Sequence, residues 1–202
     1  MVLQFVAKEM ENSMDPIMRE IPYSFDTRRL TIRGPLPGDG KTVRNAALES
    51  QTELKPWMPW SVNIMSEEEY EIMVRRAKLK YLGCDDFWLL LFLKETNTLV
   101  GCSGLHNANW TVPSFEIGYW LHSQYTGQGY MTEAVEGICQ FAFNHLGAQR
   151  LIIRCDSQNE RSAAVAQRCG FIFEATHLHD SRDHLTNELA DTHYFYRLLS
   201  QD

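Results

Sequence analysis

The residues whose types and spacing most clearly indicate a chemical function are two glycines, Gly127 and Gly129, which lie between a strand pattern and a helix pattern. Apolar and polar residues alternate over residues 115–121, which is the period of a strand. From Met131 onward, apolar residues recur at three and four positions, as on one helix face. Because glycine has no Cβ, backbone N–H groups of residues 127–131 can approach an anion at the positive helix end. The turn therefore predicts a cradle for a phosphate group, which we interpret as a pyrophosphate.

Two other interpretations of these glycines stay open from the residues alone. A tight turn that requires positive φ would need glycine without any ligand. The second interpretation is a loop that binds another nucleotide. Two such loops are disfavoured: neither GKS nor GKT follows the glycines, as a Walker-type loop requires, and Thr132 stands where a dinucleotide fingerprint has its third glycine. What remains is the pattern Q-x-x-G-x-G, from Gln124 to Gly129.

This pattern resembles the acetyl-CoA loop of the GNAT acetyltransferases, which has the form Q/R-x-x-G-x-G/A. The letters GYW before the loop and MTEA after it are similar to the GNAT branch that acetylates amino termini of ribosomal proteins. A later block, NERSAAVAQRCGF, resembles the second motif of the family. The resemblance covers residues 27–199, so we expect a single domain over residues 25–202 and an N-terminal extension over residues 1–24.

The resemblance implies where acetyl-CoA, the co-substrate, binds. Its pantetheine arm would enter a gap between two splayed parallel strands and pair with the backbone like an added strand, while the side chain of Asn159 bonds a pantetheine amide. A primary amine would attack the thioester directly in a ternary complex, without an acyl-enzyme and without a metal. The residues assigned to acetyl-CoA are Trp120, Leu121, Gly127, Gln128, Gly129, Tyr130, Met131, Thr132 and Asn159.

Amine acetylation requires a base, because an amine is protonated in water and attacks only after losing a proton. Glu116 is the candidate: it has the parity opposite to Phe115 and Ile117, and the family often places here a glutamate that acts through water. A sheet carboxylate that pairs with a cation or faces solvent is the alternative. Glu133 is a poorer candidate, because a carboxylate in the first turns of a helix complements the helix dipole.

The CoA thiolate leaves more readily when a donor protonates it. Many family members use a tyrosine in the helix after the fifth strand, but alignment through Asn159 and Gly170 places Ala166 there. Ser162 is the nearest hydroxyl, and the resembled branch tends to have a serine at this position. An ordinary first-turn helix residue is the alternative for Ser162.

The acceptor side is indicated by the tryptophan-rich loop KPWMPW at residues 55–60. In the resembled branch this loop borders the acceptor, so Trp57 and Trp60 are predicted to bind substrate, with plugging of the core as the alternative. His106 and His122 flank the expected gap and receive no role. The histidines between residues 177 and 193 show no motif of a known metal mechanism, so no metal site is predicted.

The elements that position these residues follow from periodicity and turn chemistry. We predict an α+β fold with a mostly antiparallel sheet of about seven strands, a parallel splayed central pair, and helices on both faces. A helix at residues 5–10 and an irregular polar segment at 177–188 are also expected. The predicted strands are 27–33, 87–93, 99–105, 115–121, 151–156, 171–176 and 193–198. Four helices are predicted. The first spans residues 41–54 with Asp39 as its cap, and the second begins with a Ser66/Glu69 capping box and reaches residue 81. The third begins at Met131 and ends at Gly147, and the fourth spans residues 160–169 with Asn159 as its cap.

Composition narrows the partners and the compartment. A chain of 202 residues with 44 % hydrophobic residues has the size and composition of one domain. Its net charge of -7 disfavours binding to nucleic acid, whose phosphates are also negative, and suits a cationic substrate such as an amine. Five cysteines without a CxxC spacing indicate a reducing compartment. The acidic N-terminus does not resemble a signal peptide, and the longest apolar run, residues 87–93, is too short for a membrane span. We therefore expect a cytoplasmic protein with no membrane partner; a homodimer is left open.

The resemblance favours an N-acetyltransferase that acts on a primary amine, with the N-terminal amine of a ribosomal or other protein as one acceptor. A small amine such as a polyamine, an antibiotic or an amino acid analogue is an open alternative, because a fold does not fix its substrate. A non-catalytic CoA-binding module is a further alternative, suggested by the loss of the usual tyrosine.

Overall fold

The computed structural model of the protein describes residues 15–199, so the helix predicted at residues 5–10 lies outside the described residues. The strands are β1 (Ser24–Asp26), β2 (Leu30–Arg33), β3 (Phe87–Leu93), β4 (Leu99–Asn109), β5 (Ser114–Leu121), β6 (Arg150–Asp156), β7 (Ile172–Arg182) and β8 (Leu189–Leu198). The helices are α1 (Gly40–Glu49), α2 (Gln51–Leu54), α3 (Glu67–Leu82), α4 (Tyr130–Phe141, continued by a π turn over Ala142–Leu146) and α5 (Glu160–Arg168). Short 3₁₀ turns occupy Pro16–Met18, Pro59–Ser61 and Ser123–Tyr125.

The eight strands form one sheet in the order β1-β2-β3-β4-β5-β6-β8-β7. Neighbouring strands are antiparallel except β5 and β6, which are parallel and joined by the α4 crossover. Their pairing extends only from Ser114 to Glu116 on β5, opposite Arg150 to Ile152 on β6, and the strands separate beyond it. The predicted α+β sheet with a splayed parallel pair is confirmed, and the short β1 brings the predicted seven strands to eight.

Helices cover both faces of the sheet, as predicted. Side chains alternate between faces along a strand, so Leu89 packs in the cluster that contains Ile138 of α4, while Leu90 packs with Val43 of α1 and Tyr70 of α3. Burial on both sides explains the uninterrupted apolar sequence of β3. The sheet thereby separates the α4 face from the α1 and α3 face.

Local capping signals were mostly reliable. The capping box of α3 is present, with Ser66 and Glu69 bonded reciprocally. Asp39 occupies the N-cap position of α1 as predicted, but its carboxylate binds the Arg33 guanidinium at 2.7 and 2.8 Å and makes no hydrogen bond to a helical N–H group. The single helix expected over residues 41–54 is interrupted at Ser50, whose φ of -110° and ψ of 5° lie outside helical geometry.

The irregular segment expected at residues 177–188 was wrong for residues 177–182, which belong to β7, and is confirmed for residues 183–188, which form the turn before β8. β7 continues to Arg182 and forms a hairpin with β8, which begins at Leu189. β7 is the outermost strand, most of its side chains are exposed, and its register shifts between Phe173 and Ala175 and between His177 and Ser181. An exposed and bulged edge strand lacks the alternation that indicates a strand in the sequence.

The described part of the expected extension packs on the sheet domain. The Tyr81 hydroxyl donates to the Pro22 carbonyl at 2.7 Å, and Cys84 Sγ lies 3.1 Å from the Pro16 carbonyl. The division at residue 24 stays a prediction. Among residues 15–199, none of the helices combines the length and the apolar character needed to cross a membrane.

Candidate active site

The two glycines of the loop before α4 have left-handed backbone conformations. Gly127 has a φ of 74° and Gly129 a φ of 78°, and Gly129 is the N-cap of α4 without a side chain that caps the helix. A Cβ on Gly127 would meet nothing within 4 Å, and one on Gly129 would meet only the Arg29 guanidinium, at 3.6 Å. Positive φ accounts for glycine under either interpretation of the turn, but the open space before the helix end also leaves room for an anion.

A groove of about 500 Å³ runs from this loop along the gap between β5 and α5. Trp57 and Met58 of the tryptophan-rich loop line the groove, and Arg161 and Arg168 of α5 add two cations to its wall. These arginines escaped the sequence analysis, although their spacing of seven places both on one helix face. The predicted acetyl-CoA residues that line the groove are Trp120, Leu121, Gly127, Gly129, Tyr130, Met131, Thr132 and Asn159.

Gln128 is the predicted cofactor residue that does not line the groove. Its side-chain amide donates to the Gln124 carbonyl at 3.1 Å, and its own carbonyl accepts a hydrogen bond from Arg29 at 3.0 Å. These contacts hold the shape of the loop. Binding of acetyl-CoA through the Gln128 backbone stays a prediction.

Glu133 ties α4 to the turn before β2. Its carboxylate accepts hydrogen bonds of 2.6 Å from the Thr27 hydroxyl, the Arg29 backbone N–H and the Arg29 guanidinium. Burial raises the pKa of Glu133, but the hydrogen bonds and the Arg29 charge together hold that pKa below its ordinary value. Glu133 therefore joins α4 to the turn before β2 through hydrogen bonds, in addition to the favourable interaction with the helix dipole that its position predicts.

Glu133→Gln should lower the free energy of unfolding at pH 7 by about 1 to 2 kcal/mol, because the amide loses charge-assisted hydrogen bonds in a partly exposed site. The folded-state pKa is depressed, so the parent's advantage is complete above the unfolded-state pKa and disappears as the pH falls through the folded-state pKa. Denaturant unfolding between pH 7 and pH 3 checks this. Glu136→Gln, an exposed carboxylate on the same helix, is the matched control and should show no such convergence.

The splay of β5 and β6 leaves one edge of β5 unpaired. Trp120 and Leu121 pair with Cys102 and Gly101 of β4, but residues 117–121 have no partner on β6 among the described residues. Backbone polar groups on this edge face the groove and can bond an amide chain that lies along it.

Ser162 lines the groove and lies in the first turn of α5. Asn159 caps the helix as predicted, because its side-chain oxygen accepts from the Ser162 N–H at 3.0 Å. The Tyr119 hydroxyl lies 2.9 Å from the Ser162 carbonyl and 3.0 Å from Ser162 Oγ. Burial raises the pKa of Tyr119, so its phenol is protonated near neutral pH. Sequence analysis missed Tyr119 because this contact joins residues 43 positions apart.

Glu116 lies on β5 at the point where the strands begin to separate. One carboxylate oxygen is 3.0 Å from the Arg154 guanidinium, and the other accepts a hydrogen bond from Asn107 at 3.0 Å. The side chain is 21 % exposed. This is the arrangement of a sheet carboxylate paired with a cation; the general-base role stays a prediction.

Trp57 and Trp60 are both more than a third exposed, so neither plugs the core. Trp57 borders the groove, and Trp60 packs against Trp120 with ring centroids 5.6 Å apart. Trp60 also lines a mainly apolar cavity of about 380 Å³ on the α1 and α3 face. This cavity shares Met58, Tyr119 and Trp120 with the groove. Substrate contact by the two tryptophans stays a prediction.

Comparison with known proteins agrees with this geometry. Residues 29–172 match the family model of the acetyltransferase (GNAT) domain, so the chain belongs to the GNAT acetyltransferase family. With that family, the fold and the cofactor groove, the protein is an acetyl-CoA-dependent N-acetyltransferase. Among the described residues, no group of His, Cys, Asp and Glu forms a metal site.

Several relatives act on, or are named for, ribosomal proteins. YdaF of Bacillus subtilis, named "Putative ribosomal N-acetyltransferase", is 28 % identical over 86 % of this chain and 92 % of its own. The ribosomal-protein-serine acetyltransferase of Escherichia coli is 27 % identical over 66 % of this chain and 74 % of its own. The fold matches that of RimL, the ribosomal L7/L12 alpha-N-protein acetyltransferase, whose structure was solved with coenzyme A. The TM-score is 0.80 at 22 % identity, and the match covers 90 % of this chain and 99 % of RimL.

Proposed function

We propose that this enzyme acetylates the N-terminal amine of a protein substrate. The observation that carries the proposal is the similarity to relatives named for ribosomal-protein acetylation, which spans 92 % of the length of one relative and 74 % of the other. A protein N-terminus presents a primary ammonium group on an extended chain. The acceptor side of the site must therefore admit a chain, attract a cation and end beside the thioester.

A second cavity, about 460 Å³, supports this proposal. It lies between the tryptophan loop and the β7–β8 hairpin, and it shares Trp57, Tyr119 and Ser162 with the cofactor groove. Asp156 and Asp180 line it and favour a cationic ligand. This cleft is the path that we propose for the N-terminal segment of the acceptor.

On the cofactor side, we propose that the loop around Gly129 holds the pyrophosphate, with Arg161 and Arg168 near the phosphates. The unpaired edge of β5 then bonds the pantetheine arm, and Asn159 offers its remaining amide donors to a pantetheine carbonyl. The amine attacks the thioester carbonyl carbon, a C–N bond forms, and collapse of the tetrahedral intermediate breaks the C–S bond. Ser162 is placed to donate a hydrogen bond to the departing thiolate.

A small amine is the second candidate acceptor. The acceptor-side cavity of about 380 Å³ is lined largely by apolar and aromatic side chains, among them Trp60, Tyr70 and Trp88, and its size suits one side chain or one small molecule. A small amine with an apolar body would occupy it without using the acidic cleft.

The experiment compares acceptors at a fixed concentration of acetyl-CoA, with thiol release and mass spectrometry as readouts. Peptides with a free N-terminus should be acetylated at the α-amine with a kcat/KM at least about a hundredfold above that of the same peptides blocked at the N-terminus but retaining lysine. Asp156→Asn together with Asp180→Asn should raise KM for the peptide without changing the affinity for acetyl-CoA. Faster turnover of polyamines or aromatic amines than of any peptide would contradict the protein acceptor.

A further inference from the structure

We infer that the imidazole of His106, oriented by Asp86, takes the proton from the attacking amine. The inference deepens the proposed acyl transfer and rests on it for an amine acceptor. Neither residue belongs to the sequence patterns that indicated the family.

The position of His106 follows from sheet register and two glycines. His106 on β4 lies directly opposite Glu116 on β5. A Cβ on Gly104 would lie 2.6 Å from Cε1 and Nε2 of the ring, and one on Gly118 would lie 3.3 to 3.4 Å from Cδ2 and Nε2. Side chains at these two positions would displace the ring, so glycine leaves room for it above β5, at the beginning of the splay.

The orientation of the ring is fixed by a carboxylate. His106 Nδ1 lies 2.7 Å from Asp86 Oδ2, and Asp86 immediately precedes β3. A neutral ring in this contact donates its Nδ1–H to the carboxylate, which leaves the lone pair on Nε2. Within residues 15–199, Nε2 has no hydrogen-bond partner. The arrangement is that of a base held in one tautomer by a third group.

The ring lines the acceptor-side cavity, next to the stretch of β5 shared with the cofactor groove. Gly118, Tyr119 and Trp120 border the cavity there, and the His106 side chain is 34 % exposed. An amine that approaches the thioester from this side passes the ring. Glu116, by contrast, already has both oxygens engaged by Arg154 and Asn107.

The titratable groups around the ring come from several elements. Asp86 contacts it directly, and Glu116 with its partner Arg154 faces it from β5 and β6. The remaining ones are Tyr70 of α3, Cys102 of β4 and Tyr119 of β5 in the cavity wall, and Arg76, Lys80 and Glu69 of α3 in the shallow pocket that also contains Asp86.

The protons balance through two acceptors. Nε2 takes one proton from the ammonium group, and the neutral amine forms the C–N bond to the carbonyl carbon. After attack the nitrogen loses its second proton, and the Ser162 hydroxyl relays it in the proposed site: the hydroxyl gives its own proton to the thiolate as the C–S bond breaks and takes the proton from the nitrogen. The imidazolium then returns its proton to water, so the net products are amide, CoA thiol and one proton.

The test compares variants over a pH range with an amine that the parent acetylates, whether peptide or small molecule. His106→Asn retains an amide donor near Nδ1 and deletes Nε2, so kcat/KM near pH 7 should fall about a hundredfold or more and lose its rising acidic limb. Acetyl-CoA affinity should stay within about twofold. Asp86→Asn, which changes a positioning residue, should move the limb to lower pH because the imidazolium loses its anionic partner.

Two controls keep the inference falsifiable. His122→Asn removes another paired histidine, one bonded to Glu49 outside these cavities, and should retain the limb. Glu116→Gln should also retain it; if this variant alone loses the limb, Glu116 is the base and the inference is overturned. Independently of any acceptor, nitrogen NMR of the free enzyme should show the Nδ1–H tautomer of His106, and the Nε2–H tautomer would contradict the inference. If the parent acetylates small amines but no peptide, and His106→Asn loses that activity, the protein acceptor is refuted and the assignment of His106 as the base stands.

Discussion

A Gly129→Val variant is expected to lose measurable acetyl-CoA binding while it keeps the fold. Gly129 has a φ of 78°, and a β-branched residue is strained in that conformation by about 1 to 2 kcal/mol or more. The protein itself leaves the Cβ position nearly empty, with the Arg29 guanidinium at 3.6 Å as the single contact within 4 Å. The new side chain therefore projects into the space where a pyrophosphate would approach the helix N-terminus.

Calorimetric titration with acetyl-CoA and thermal unfolding measure the two parts of this result. Gly147→Val is the matched control, because Gly147 ends the turn after the same helix with a φ of 68° and lies outside the groove. It should suffer a similar loss of stability and keep its acetyl-CoA affinity. Unchanged affinity in a folded Gly129→Val protein would show that the turn is not the cofactor cradle.

Ser162→Ala is expected to reduce kcat by about a hundredfold with both substrates saturating. Ser162 lines the groove, and the CoA thiolate departs beside its hydroxyl group in the proposed mechanism. A hydrogen bond to a developing thiolate strengthens in the transition state, so its loss appears in kcat. Stability should change little, because α5 is already rich in alanine and the backbone N–H of residue 162 retains its bond to Asn159.

The alternative for Ser162 has a different kinetic signature. A hydroxyl that bonds only the bound cofactor would contribute about 0.5 to 1.5 kcal/mol, seen as at most about a tenfold loss of CoA affinity with kcat unchanged. Tyr119→Phe distinguishes a hydrogen-bonded pair from a lone serine. If the phenol polarises Ser162 Oγ at 3.0 Å, this variant should lower kcat by about tenfold, and its effect should not add to that of Ser162→Ala. Equal kcat in all three proteins would leave water as the proton donor.

Local features of the structure followed from short segments of the sequence. The capping box at Ser66, the cap at Asn159 and the positive φ of Gly127 and Gly129 each depend on residues within a few positions. The βαβ crossover followed from one strand pattern, one helix pattern and the next strand. The family resemblance rested on the same contiguous stretch, which is why eight of the nine residues assigned to acetyl-CoA line one groove; their contact with the cofactor stays a prediction.

Sequence analysis failed where a local signal did not decide the structure. Asp39 has the residue type of a helix cap, but the Arg33 guanidinium, six residues away in the chain, attracts its carboxylate more strongly than an N–H group does. Residues 171–176 were predicted as a strand, but the continuation of β7 over residues 177–182 was missed because its side chains are exposed and show no apolar alternation.

The sequence by itself determined the loop, the positions of most strands along the chain and, through the family resemblance, the class of cofactor, since these depend on periodicity and on a contiguous motif. The tertiary structure decided which side chains meet around the proposed reaction centre. Sheet register places His106 across from Glu116 and brings Asp86 to the ring, while a strand-to-helix contact sets Tyr119 beside Ser162. Such contacts join residues 10 to 43 positions apart, and a shift of one residue in register would turn the side chains of the shifted strand to the opposite face of the sheet.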